Sequence, residues 1–195
     1  SEIITAEKPT RSTQFAALEL QHHIKLITGA ILPIVRSGKL PADGKTALLV
    51  GFSQATEKYG VKASDFKGEE YTVKTVPGAV IMAGNDSPDY ENVDYGNKAT
   101  FPPFSYHEKS TLWAVYDFLE TSFGVRWYAP TDIGVTFKET NSLSVEPLSI
   151  RRKPAMDAQR HFYAPKFYYE YEKAFSDRDN MLLKLRWRQT LRFGA

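Results

Sequence analysis

The sequence predicts an α+β, or α/β sandwich, architecture: a mixed β-sheet with helices packed mainly on one face. Three observations carry this. Two amphipathic helical stretches, one ending at Thr28 and one running from Ser110 to Phe123, are separated by segments of strand character. Thr46 to Phe52 (TALLVGF) is a continuous apolar run, as expected for a strand covered on both faces. Glu70 to Val76 alternates, Ala79 to Ala83 is apolar, and Pro77-Gly78 between them has the chemistry of a tight turn, which together read as a hairpin. Strands and helices in this order form a sheet covered by two main helices.

The elements run in chain order. Glu2 to Thr5 is a short strand candidate, and Thr10 to Thr13 offers hydroxyl N-caps for the first helix. Ala17, Leu20, Ile24 and Ile27 recur at steps of three, four and three, and so share one helical face. Leu32 to Val35 is a strand candidate, Pro41 to Gly44 a turn, and Gln54 to Tyr59 one or two helical turns. Asn85 to Tyr106 is polar, rich in Asp, Pro and Tyr, and without periodicity, so an irregular and mobile loop is expected there.

The stretch Lys109 to Pro130 organises the rest. Ser110 or Thr111 is positioned to cap a helix starting there. Leu112, Tyr116, Leu119 and Phe123 form its apolar face, which Trp113, Val115 and Phe118 widen. Gly124 sits where a left-handed residue ends a helix. Val125 to Tyr128, Ile133 to Phe137 and Leu143 to Val145 read as further short strands, and Arg151 to Pro154 as a linker. Beyond it the chain is aromatic and then helical from about Ser176 to Arg192. The division expected is residues 1–150 as one α/β domain and residues 151–195 as the beginning of a second, because about 45 residues are too few for an independent core.

Composition narrows function. Acids and bases nearly balance, at net +2, and no basic block precedes the C-terminal end, so a nucleic-acid footprint is not expected. No cysteine is present, which excludes disulfides and thiolate metal sites. No apolar run is long enough to cross a bilayer, so no membrane span is expected. Aromatic content of 13% suits stacking on sugar rings, although an aromatic core explains it more simply.

No H-E-x-x-H, P-loop or dinucleotide glycine motif occurs, and no cofactor, metal or catalytic residue is expected. His22 and His23 are adjacent on a helix and cannot chelate together; a solvated face is expected for them. His107-Glu108 reads as loop and first-turn charge. Asp86, Asp89, Glu91 and Asp94 share one polar loop, where solvation should keep them ordinary carboxylates. Lys184, Arg186, Arg188 and Arg192 read as a solvated basic helix face. Asp157, Arg160 and His161 make the best polar cluster, read as an ion-paired strand end at the domain junction.

Four stretches carry a family resemblance: AALELQHHIKLITGAILPIV (16–35), TALLVGFS (46–53), EEYTVKT with AVIMAGND (69–86), and STLWAVYDFLETSFGVRWYAP (110–130). In order and spacing they resemble the N-terminal accessory domain that precedes the catalytic barrel of family 20 β-hexosaminidases, family 67 α-glucuronidases and related bacterial proteins. RKPAMDAQRHF (152–162) resembles the first barrel strand of the family 20 enzymes, with Lys153-Pro154-Ala155 departing from the glycine and aliphatic residues usual there. The resemblance implies a non-catalytic domain of a putative glycoside hydrolase. On it, Arg152, Asp157, Arg160 and His161 would bind substrate once the barrel is complete, and the catalytic acids would lie outside this chain. It also implies carbohydrate as the ligand of the whole protein, and a periplasmic or extracellular location with the export signal removed. The rival readings are a stand-alone carbohydrate-binding or protein-interaction module, and a small hydrolase using Asp157 and His161. The dense aromatics of the tail (Phe162, Tyr163, Phe167, Tyr168, Tyr169, Tyr171) suggest a tail-mediated homodimer.

Overall fold

Eight strands run through the chain: β1 (Glu2–Thr5), β2 (Ile34–Arg36), β3 (Ala47–Val50), β4 (Tyr71–Val76), β5 (Ala79–Gly84), β6 (Arg126–Trp127), β7 (Val135–Thr136) and β8 (Ser149–Arg152), counted among the described residues. Six of them form one mixed sheet in the order β2-β1-β3-β5-β4-β8, and the short β6 and β7 pair separately. Among the described residues the α-helices are α1 (Arg11–Thr28), α2 (Gln54–Glu57), α3 (Ser110–Phe123) and α4 (Asp177–Arg186). The structure, a computed structural model, describes residues 1–41, 43–103, 108–153 and 173–188.

The pairing reflects the connections. α1 carries the chain from β1 to its parallel neighbour β2, and β1 and β5 both lie parallel to β3. The two-residue turn at Pro77-Gly78 makes β4 and β5 an antiparallel hairpin, as expected. Side-chain alternation then sorts two cores. Ile3, Leu48, Val50, Val73, Val80 and Met82 face α1 and α3. Ile4, Ala47, Leu49, Ala79, Ile81 and Ala83 face the opposite side, where Ala55 of α2, Val61 and Phe66 cover them. The apolar run in β3 is thus buried on both faces, and the long helices lie on one.

Both long helices end as their sequences require, at Gly29 and Gly124 in the left-handed region. The start of α3 presses on a strand end. A Cβ at Gly84 would lie 2.5 Å from Ser110 Cβ and 2.7 Å from Tyr71 Cβ, so only glycine lets α3 approach β5 this closely.

The structure redraws several expected elements. Leu143 to Val145 is not a strand; Leu143 and Val145 are half-buried side chains packed on the core. The last sheet strand is β8, whose residues include Arg151 and Arg152 of the expected linker. SIRR lacks apolar alternation because β8 is an edge strand and is mostly exposed. Arg151 instead lies over the Phe66 ring, 4.4 Å from its centroid. Neither Ser110 nor Thr111 caps α3 with its side chain. The loop between β5 and α3 is irregular, as expected, but it is no solvated excursion: Phe101 is buried in the core beside Phe15, and Gln14 holds the loop through Glu91 O and Val93 N.

α4 starts at Asp177, one residue past the expected Ser176, which caps it through a hydrogen bond accepted from Asp179 N. Its Leu182, Leu183 and Leu185 join the core shared with α1 and α3. Among the described residues, no helix is long and apolar enough to cross a membrane.

Candidate functional site

Three polar centres lie inside the described fold. The largest gathers around Glu19, midway along α1. Glu19 shares a helix face with Phe15 and His23, four residues either way, and its side chain is fully buried. Arg186 of α4 reaches it in a two-pronged pair, Nε to Oε2 at 2.9 Å and Nη2 to Oε1 at 3.1 Å. Tyr116 of α3 donates its hydroxyl to Oε2 at 3.0 Å, and Tyr95 of the long loop donates to Oε1. Three separate segments therefore converge on one carboxylate of α1.

The electrostatics stem from burial and that cation. Burial alone would raise the Glu19 carboxyl, but Arg186, with help from His23 and Tyr95, outweighs it and holds the acid well below its usual range. Burial and the adjacent Glu19 charge push both tyrosine hydroxyls well up, so both stay protonated and can donate to the carboxylate. Arg178 of α4 lies over the Tyr95 ring, 4.9 Å from its centroid.

His23 extends the centre. Trp127 Nε1 can only donate, so His23 Nε2 accepts from it at 2.8 Å, and Nδ1–H donates to Glu19 O at 2.7 Å. Burial pushes the imidazole down to about 4, against the opposing pull of Glu19. His23 is thus a neutral structural link rather than part of the solvated face expected, and His22, only partly exposed, bonds Asp132. Arg186 likewise corrects the solvated basic face expected for α4.

The second centre is Asp86, just past β5. Its Oδ2 accepts from the hydroxyls of Thr10 and Thr13, both at 2.9 Å, and its Oδ1 accepts from Thr111 N at 2.9 Å. Asp86 thus ties the N-termini of α1 and α3 together and supplies the cap that α3 lacks locally. Burial raises its carboxyl, against these hydrogen bonds, so it is not the ordinary solvated acid expected. Lys109 beside it is also buried and is pushed down to about 8, with Glu69, Glu108 and Asp86 opposing that shift.

The third centre is Asp117 on α3. It accepts from Arg152 Nη1 at 2.9 and 3.1 Å and from the Tyr71 hydroxyl at 3.3 Å. Arg188 pairs with Glu120, three residues further along α3. Arg152 and Arg188 both act on the Tyr71 hydroxyl, which burial pushes up to about 12.

Of the substrate-binding residues expected from the sequence, Arg152 ends β8 and is engaged by Asp117, with its side chain about half exposed. Asp157, Arg160 and His161 lie outside the described residues, as do the aromatics from Phe162 to Tyr171, the linker end at Pro154, His107 and Arg192. Among the described residues no group of three or more His, Asp or Glu has metal-ligand geometry. An open groove of about 750 Å³ runs between the Lys98–Thr100 turn and α4, lined by Lys98, Lys173, Phe175, Asn180 and Lys184.

Sequence reasoning missed Glu19, His23, Tyr95, Tyr116 and Arg186 as partners. One signal was present: Glu19 and His23 sit at core spacing within an apolar helix, and Arg186 is flanked by Leu185 and Trp187. A charge at a core position requires a buried partner. No protein-family model matches the chain, and no curated protein matches it.

Proposed function

We propose that this chain is the non-catalytic N-terminal domain of a carbohydrate-active enzyme, a glycoside hydrolase whose catalytic acids lie elsewhere, together with the start of its catalytic domain. The observation that carries the proposal is how the fold uses its buried carboxylates. Helix N-termini at the carboxyl ends of parallel strands are where open α/β sheets receive anionic ligands. In this chain the two long helices direct their N-termini at Asp86, which takes that place from within. Glu19 is sealed by two tyrosines and an arginine. Both carboxylates are occupied by scaffold duties, which supports an accessory role. The sequence resemblance supplies the carbohydrate part of the reading, the periplasmic or extracellular location, and the sugar-binding assignment of Arg152, Asp157, Arg160 and His161.

The test is an assay of the purified chain on nitrophenyl hexosaminides and glucuronides. No turnover is expected; turnover abolished by Asp157→Asn would overturn the proposal.

A second reading, a carbohydrate-binding module, is favoured by the groove beside α4. Phe175, Lys98, Lys173 and Asn180 line it, an aromatic ring among polar side chains. Chemical-shift changes confined to these residues on titration with oligosaccharides would select it. The tail-mediated homodimer is also a proposal. Because Leu182, Leu183 and Leu185 are buried within the chain, it rests on the aromatics between 162 and 171. Light scattering of the chain against a version ending at Ile150 reads it.

A further inference from the structure

We infer that α1, α3 and β6 form a docking site for α4, keyed by Glu19 to Arg186, and that α4 occupies it as a separable latch. This does not rest on the carbohydrate reading.

Five contacts define the site. Glu19 takes the Arg186 guanidinium. Trp127 O of β6 accepts from Trp187 Nε1 at 2.8 Å. Glu120 of α3 takes Arg188. Tyr95 O accepts from Arg178 Nε at 2.9 Å. Leu182, Leu183 and Leu185 fill the space between them. The partner this surface fits is a helix of the pattern Leu-Leu-x-Leu-Arg-Trp, which the chain supplies from 167 residues away in sequence from Glu19.

The pairing is selective because of burial. Glu19 and Arg186 side chains are 0% and 1% exposed. A desolvated carboxylate rejects a helix that offers no cation, and lysine cannot reproduce the two-pronged geometry. Separability comes from the second core. Ile4, Leu49 and Ile81 pack under α2 on the far side of the sheet, where α4 contributes nothing. Arg152 and Arg188 pair with carboxylates three residues apart along α3.

The absence of native cysteine makes thiol labelling a clean readout. Leu183→Cys reports docking of α4, and Ala47→Cys reports the sheet's far core. In the full chain both should be protected. Adding Arg186→Met should bring Leu183→Cys to within about tenfold of the labelling rate in urea, while Ala47→Cys stays protected by about a hundredfold or more. A synthetic peptide of residues 176–188, added to the otherwise unaltered Leu183→Cys chain, should also speed labelling by competing for the site. If both cysteines reach the unfolded rate together, α4 is no latch but an inseparable part of the fold. If Leu183→Cys stays protected without Arg186, the key is idle. If protection of Leu183→Cys rises with protein concentration, α4 docks on a second copy, and the same-chain site is wrong.

Discussion

Glu19, fully buried, and Asp86, partly buried at the helix starts, are both carboxylates close to α1, yet they are stabilised in opposite ways. Glu19 meets a guanidinium and two phenols and is held as an anion well below its normal range. Asp86 meets two hydroxyls and a backbone amide, and burial raises it. The first centre joins parts of the chain distant in sequence and depends on a full charge. The second joins two helix starts and depends on acceptor geometry. A buried acid can therefore serve as a lock or as a cap, and the charge of its partners decides which.

The largest expected effect comes from opening the lock on one side. Arg186→Met leaves Glu19 without its cation, and such one-sided losses cost about 3–5 kcal/mol. A urea-melt loss below about 1 kcal/mol would erase the contrast between the two centres. Leu119→Ala is the apolar reference. Leu119 is fully buried on α3, and its truncation should cost about 2–5 kcal/mol by the same measurement.

His23 sharpens the comparison through pH. Its folded pKa lies below its unfolded value of 6.5, at about 4. The neutral form is thus favoured by folding, and its stabilisation is fully present above pH 6.5 and lost as pH falls towards 4. The loss should approach about 3 kcal/mol. Glu19, also depressed, adds a loss only below its own unfolded value of 4.5. Urea midpoints between about pH 7 and about pH 4 should fall in the native chain and fall less in His23→Gln. Equal slopes would show that His23 is not buried as a neutral ring.

Much of the scaffold was legible because periodicity reports burial of apolar faces. Ala17, Leu20, Ile24 and Ile27 in α1, the wide face of α3, and the Pro77-Gly78 hairpin all stand where the residue pattern put them. Edge strand β8 was not legible, since Ser149 to Arg152 pairs through its backbone and leaves its side chains largely in water. The polar centres were hidden for another reason. Tyr95 and Arg186 lie in segments with no periodic relation to α1, so only the folded chain brings them to Glu19. Asp86 looked solvated because its neighbours in sequence are polar, while its partners Thr10, Thr13 and Thr111 come from elsewhere.

Asp86 gives the smallest expected effect and the finest discrimination. If it acts as a cap, what matters is an acceptor for Thr111 N and partners for two hydroxyls. Asp86→Asn keeps both. The amide oxygen still accepts from Thr111 N, and the amide NH₂ donates to Thr10 and Thr13, whose hydroxyls can turn to accept. The change should therefore cost about 1 kcal/mol or less, whereas Asp86→Ala leaves a helix N-terminus uncapped and should cost about 1–3 kcal/mol. The pH dependence has a definite sign. A folded pKa above the unfolded value of 3.8 means that the contribution of Asp86 is present below that value and is lost as pH rises through the folded pKa. Asp86→Asn does not titrate, so its stability relative to the native chain should improve between about pH 4 and about pH 7, opposite to the trend that His23 imposes on the native chain alone. If the asparagine and alanine variants lose equally, the negative charge itself is required, and Asp86 is a second lock rather than a cap.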